Sequence, residues 1–434
     1  MFNRLTSVRI SLWASTLFVL VFVSACQPFP SGALETQQPN PTSPGVQSPS
    51  PLKQATSSPP STPGFTLWLP PQWDPAMNTP AAQLFQQRLQ TFQTQFPNLP
   101  LEIRIKAVEG AGGMQEALLS ASAAAPMALP DLVAMPRPLL DSVSQKGILH
   151  PLDSYSQSSN ENDSYAYARQ LALVQNTPYG IPFAGDFLLL AYPASISGEM
   201  PTNWSAWLES PLTLGFNAAD NQAAVLLSLY LSAGGKIQDD QGKPTLEAPI
   251  LTQILEDLAF ASRQGKLPPW VTQTDSTQAV LQALSERRVD SAYLWSSVLL
   301  SGNYQDWAIA PGFSIAGKTT TLANGWIWAS PSPRAEMISI SFQLAAFLSE
   351  DAFLAQWSEA AGVVPTKPAA LSLWKDTEFA ASLNIVSESA QLAPPQPIVS
   401  VIAPALRNAA LAVLKDRVPA DQAASDAVAS LVRP

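Results

Sequence analysis

From Phe65 onward, apolar and polar positions alternate in blocks that predict short strands and helices in turn. Phe65–Leu69 (FTLWL) is a β-rich run that Pro70-Pro71 must stop. Over residues 80–96, Leu84, Phe85, Leu89 and Phe92 recur at helical spacing, with Pro80 suited to a first turn. Leu101, Ile103 and Ile105 alternate with Glu102, Arg104 and Lys106, which predicts a strand with one buried face. GGMQEALLSASAAA predicts a second helix, PDLVAM a third and buried strand, and LLDSVSQKG a helix ending at Gly147. This β-α-β-α-β rhythm is what a parallel sheet with crossover helices requires.

The first 64 residues read differently. Met1–Arg9 carries Arg4 and Arg9 and no acid, Ile10–Val23 is almost wholly apolar, and Ser24-Ala25 precede Cys26. A basic start, an apolar stretch and a small-residue cleavage site describe a secretory signal. The roughly 14 apolar residues fall short of the ~18 that a spanning helix needs. Val23-Ser24-Ala25-Cys26 resembles the lipobox of bacterial lipoproteins. That resemblance implies cleavage before Cys26 and lipidation of its sulfur, and so a use for the only cysteine in the chain. Gln27–Gly64 is then Pro, Ser, Thr and Gln with hardly a charge or an aromatic, which predicts a disordered tether.

Roughly 370 residues remain, too many for one core and suited to two lobes. The formal net charge of −10 gives no electrostatic reason to hold nucleic acid. His150 is the only histidine, so Ser–His–Asp and Cys–His catalysis and His/Cys zinc sites lose their usual players, and no cofactor or metal is expected.

The order of motifs resembles the extracellular solute-binding proteins of ABC transporters, family 1, the group that includes the maltose-binding proteins. The resemblance is carried by Pro100-Leu101-Glu102-Ile103, Pro130-Asp131-Leu132-Val133, Gly147-Ile148-Leu149-His150-Pro151-Leu152, Tyr179-Gly180-Ile181-Pro182, Pro201-Thr202-Asn203-Trp204, Gly234-Gly235, GWIWAS and GVVPTKPAAL, in that order. It implies an α/β, two-lobed, periplasmic-binding-protein-like (type II) fold with hinge crossings. Expected crossings fall at Pro182–Asp186, near Trp307–Phe313 and near Gly362–Pro365. The expected organisation is a signal peptide over 1–25, a tether over 26–64, lobe I over 65–183 plus 312–360, and lobe II over 184–311 plus 361–434. By the same resemblance the protein is a monomeric, lipid-anchored, extracytoplasmic binding protein, not an enzyme. It would hand a small solute, a sugar or oligosaccharide, to ABC permease subunits.

In open α/β sheets the ligand crevice lies beyond the carboxyl ends of strands. The residues found there are Trp73 and Asp74 after the first strand, Arg137 after the third, Phe183 and Asp186 at the first crossing, Trp295 after SAYL, and Gly325-Trp326. Aromatic faces with carboxylates suit a sugar, whose C–H face stacks while its hydroxyls hydrogen-bond. Trp68, Trp328, Trp357, Trp204, Trp207 and Trp374 are expected in packing roles. Ala403 and Pro404 stand where maltodextrin binders carry an aromatic pair, which argues against maltodextrin as the solute. An anchored glycoside hydrolase, which needs a second carboxylate such as Asp74, and a binding-only sensor are the alternatives.

Overall fold

The computed structural model of the protein describes residues 64–152, 163–302 and 304–432. Cys26, the signal and the tether up to residue 63 lie outside the described residues. Strands β1 (Phe65–Leu69), β2 (Leu101–Ile105) and β3 (Leu132–Pro136) form a parallel ladder in the order β2-β1-β3. Helices α1 (Pro80–Gln95) and α2 (Met114–Ala124) connect them. Thr79 caps α1 by accepting from the Ala82 N–H at 3.2 Å, and Pro80 opens it as the sequence suggests. The Pro130-Asp131 motif has a clear cause. Asp131 is fully buried and accepts from Thr66 N at 2.8 Å, from Ser332 Oγ at 2.5 Å and from Arg334. One carboxylate thus joins β1, the start of β3 and the turn over residues 330–334.

Beyond α3 (Arg137–Ser144), α4 (Ala166–Leu171) and the small hairpin β4 (Leu173–Val174) and β5 (Thr177–Pro178), the chain enters β6 (Gly180–Pro193), a 14-residue strand. Its first half, Gly180–Phe187, runs antiparallel to β10 (Thr321–Ala329), which also lies antiparallel to β3. From Leu188 its partners become β8 (Ser291–Trp295) and β9 (Trp307–Ala310), while β7 (Leu214–Gly215) extends β8 in parallel. β11 (Val364–Pro365) pairs with Ala184 and Gly185, and β12 (Ala390–Leu392) with the start of β10. The result is the two-lobed α/β arrangement, with β6 passing from one half of the sheet to the other.

Helices cover both halves. Against the first pack α1, α10 (Ala335–Phe347) and α11 (Asp351–Ala361), with α2 and α3 on the opposite side. In the second half, α5 (Trp204–Glu209), α6 (Ala224–Ser232), α7 (Ala248–Arg263), α14 (Gln396–Leu414) and α15 (Ala420–Val432) bury one face. The other face meets α8 (Thr277–Ser285), α9 (Ser296–Leu300), α12 (Pro368–Leu371) and α13 (Thr377–Ser389). Trp68, Trp204, Trp207, Trp328, Trp357 and Trp374 are all buried, as packing roles require.

The crossing is tight because two glycines face α4. A Cβ on Gly185 would stand 2.2 Å from Tyr167 Oη, and one on Gly325 would stand 2.6 Å from Leu171 Cδ2. Tyr167 is itself buried, and its hydroxyl has no hydrogen-bond partner among the described residues. Removing that hydroxyl in Tyr167→Phe should raise stability by about 1 kcal/mol, since an unpaired buried O–H carries a desolvation cost. Gly185→Ala should lower it by about 1–3 kcal/mol through overpacking, and part of that loss should return in the double variant. Urea unfolding of the four proteins checks this. An equal loss in both backgrounds would show that Tyr167 is not what the added methyl meets.

Candidate functional site

The candidate site is built on the face of β6 and β10 opposite α4. Asp186 and Asn324 are Cα partners, as are Ala184 and Trp326, so Asp186, Asn324 and Trp326 leave the sheet on one side. Leu188, two residues beyond Asp186, is the partner of Trp295, which brings Trp295 to that side as well. Asp186, Trp295, Asn324 and Trp326 are each part-exposed. The structure therefore gathers Asp186, Trp295 and Trp326 on the floor where the two halves of the sheet meet. Gly325 lies between Asn324 and Trp326 with its missing side chain toward α4.

Asp186 is the most constrained group. Its Oδ1 accepts from Ser296 Oγ at 2.8 Å and Ser297 N at 2.9 Å, and its Oδ2 from Ser297 Oγ at 2.8 Å. Ser296 Oγ also accepts from Phe187 N at 3.0 Å, so the hydroxyl links β6 to the start of α9. Burial raises the carboxyl pKa above its ordinary value, and the serine donors pull it partly back. Neither serine was among the residues singled out in the sequence. The available signal was a Ser-Ser pair, good first-turn chemistry, directly after the strand SAYLW.

Trp73 lies on the turn after β1 and is almost fully buried. Its ring centroid is 4.5 Å from Trp326, 5.3 Å from Phe183 and 5.3 Å from Trp357, each edge to face. Phe183 is buried in turn and stacks on Trp328 at 4.3 Å. These rings form one aromatic cluster in which Trp326 keeps the exposed surface, so Trp73 and Phe183 orient it from behind. Asp74 follows Trp73 and accepts from Ala76 N at 2.8 Å within its own turn.

Arg137 goes elsewhere. It is the first residue of α3 and forms an i,i+4 ion pair with Asp141 at 2.8 Å. Its Nη1 donates to the carbonyl oxygens of Gln170, Leu171 and Leu173 at 2.6–2.9 Å, at the end of α4 and on the other side of the sheet. The guanidinium thus satisfies helix-end carbonyls that would otherwise lack donors. Ala403 is buried within α14, and His150 Nε2 sits 2.8 Å from the Ser332 carbonyl oxygen. Among the described residues no group of three or more His, Cys, Asp or Glu is placed to hold a metal ion.

Two concavities lie away from this floor. One of about 800 Å³ runs between α7 and the α14–α15 turn, lined by Asp257, Phe260, Arg417 and Asp421. Its neighbour of about 670 Å³ reaches Ser205, Glu209 and Lys266. Both are surface grooves between helices and loops, touching none of the candidate residues. Convergence of aromatic and polar groups at the strand crossing marks the site better than volume does.

A long strand shared by two half-sheets, with an aromatic and polar floor at their junction, defines a two-lobed binding protein. The chain belongs to the bacterial extracellular solute-binding protein family, whose model matches residues 76–352. It is thus a solute-binding protein of the ABC-transporter type, in a family named for an extracellular location. No curated protein matches it. Among solved structures, the sugar-binding protein MalE from the phytopathogen Xanthomonas citri is similar over 85% of this chain and 96% of its own, at 17% identity and TM-score 0.70. A cyclo/maltodextrin-binding protein complexed with maltotetraose covers 85% and 96% at 18% identity and TM-score 0.67. The GacH receptor of Streptomyces glaucescens covers 85% and 97% at 15% identity and TM-score 0.63. At these identities the likeness is one of fold.

The raised Asp186 pKa has a testable sign. A native carboxyl that holds its proton to higher pH than the unfolded chain contributes stability in full at low pH. That contribution is lost as pH rises from the unfolded value near ~4 through the raised native one. Wild type should therefore lose stability relative to Asp186→Asn across that window. Urea midpoints measured from roughly pH 3.5 to 7 report it, and a difference between the two proteins that ignores pH would refute the shift.

Proposed function

We propose that this protein captures a neutral sugar or oligosaccharide at the crossing of its two lobes. It would do so as a lipid-anchored, monomeric, extracytoplasmic protein that delivers its solute to ABC permease subunits. The observation that carries the ligand class is the pairing of a part-exposed indole, Trp326, with an acceptor, Asp186, on one face of the crossing strands. Arg137, the one cation among the candidates, is engaged by four other protein groups, which leaves an anionic solute without that counter-charge. The similar solved structures add that proteins of this fold are described as binding maltose, maltotetraose, mannotriose and tagatose.

In this reading Trp295, Trp326, Asp186 and Gly325 meet the solute directly. Trp73 and Phe183 hold Trp326 in place, Asp74 stands at the rim, and Arg137 braces α4 behind the floor. Lobe I is taken as 65–183 plus 312–360 and lobe II as 184–311 plus 361–434, turning about Pro182–Asp186. Closure around the solute needs contacts from both lobes, since only differential affinity shifts the open–closed balance. Hydrolysis is no part of the reading, because a glycosidase needs two carboxylates free to act across the scissile bond. Asp186 is held by three donors instead.

Calorimetric titration with maltose, maltotetraose, mannotriose and tagatose should find binding to at least one. Trp326→Ala should weaken it by about tenfold or more, equivalent to ~1.4 kcal/mol or more. The radius of gyration from small-angle scattering should fall at saturation. Binding of a polyamine or peptide with no saccharide binding would overturn the sugar reading.

A further inference from the structure

Asn324 occupies an unusual position. Asparagine is a poor strand former, yet this one sits inside the nine-residue β10, directly opposite Asp186. It is part-exposed, and its carboxamide makes no hydrogen bond among the described residues. Its neighbours, by contrast, are held. Trp326 is braced by Trp73, and Asp186 accepts from both serines of α9. The strand thus carries a residue that neither helps the sheet nor finds a partner, at the centre of the candidate floor.

The chemistry of the pair is complementary. A carboxylate has about four acceptor positions, and Asp186 has used three, two on Oδ1 and one on Oδ2, so Oδ2 retains one. The carboxamide beside it offers two N–H donors and an acceptor oxygen. Side chains directly opposite in an antiparallel pair have Cβ atoms about 4.5–5.5 Å apart. An acceptor and a donor at that spacing match two hydroxyls on adjacent ring carbons, one donating to Asp186 and the next accepting from Asn324. Trp326, two residues along on the same face, is placed to carry the C–H face of the same ring.

We infer that Asn324 and Asp186 together read a vicinal diol of a sugar ring stacked on Trp326, and that Asn324 is a specificity-determining residue. This rests on the sugar reading above. It adds that an adjacent pair of hydroxyls is selected, and by which residues.

The experiment uses the tightest-binding saccharide of the four and its monodeoxy analogues, titrated into wild type, Asn324→Ala and Asn324→Leu by calorimetry. Wild type should bind the parent about tenfold or more tightly than the analogue lacking the recognised hydroxyl. Both variants should bind the parent more weakly and lose most of that discrimination, with unfolding midpoints close to wild type. The leucine variant controls for lost contact area. Parent binding unchanged in both variants would overturn the inference and leave the sugar reading standing. So would weakened binding with the parent-to-deoxy ratio intact. If wild type binds none of the four saccharides, the sugar reading falls first and this inference falls with it.

Discussion

Everything in this fold depends on β6 being one uninterrupted strand with two sets of partners. Up to Phe187 it is laddered to β10, and from Leu188 to β8 and β9. Backbone hydrogen bonding therefore runs from one half of the sheet to the other without a loop. Side-chain direction is inherited across the junction, so Trp326 on one side and Trp295 on the other share a face through Asp186 and Leu188. Behind that face α4 lies so close that Gly185 and Gly325 leave no room for a Cβ. The helix fixes the back of the crossing, and the front is the face left open to the proposed solute.

Asp186 shows what such a junction costs. A carboxylate drawn largely out of water is costly unless its lone pairs are taken, and here Ser296 and Ser297 supply three hydrogen bonds from the start of α9. Burial still outweighs those donors in the direction of the pKa shift. The same bonds tie the crossing strand to the segment that follows β8. At the far end of α9 the Gly362 turn, in a left-handed conformation that suits glycine, comes close to Leu300 and Ser301. The short helix α9 is thus held by both the crossing strand and the end of α11.

The strands and helices of the first half were legible because their periodicity is local. α1 carries its cap and its proline, Pro70 ends β1, Pro100 precedes β2, and the Asp131 carboxylate explains the Pro130-Asp131 pair before β3. In β6 both faces from Phe187 to Tyr192 are buried, so the run shows no alternation and no sign of its change of partners. The antiparallel placement of β10 was likewise invisible. Among candidate residues, indoles at strand ends look alike in sequence, and only packing separates the buried Trp73 from the exposed edge of Trp326. Arg137 read as a candidate solute contact after the third strand. Pro138 suits the start of a helix, and the guanidinium finds carbonyls more than thirty residues away that no local pattern announces. Ser296 and Ser297 were missed for the same reason, since their partner is over a hundred residues earlier.

Charge is spent sparingly in this chain, at 13% of residues, and two ion pairs of the first half are used internally. Asp131 and Arg334 neutralise each other at the starts of β1 and β3, while Arg137 caps α4 and pairs with Asp141. The front face of the crossing is consequently left with indoles, a carboxamide and one partly satisfied carboxylate. Such a floor offers directional hydrogen bonds and a flat apolar surface, with no strong field of one sign over long range. A solute with a flat C–H face and many hydroxyls gains from every element of that floor. A strongly charged one would have to give up its hydration for a single counter-group at best. In the proposed reading, the selectivity of the site follows from where the protein has already used its ions, as much as from the residues left part-exposed.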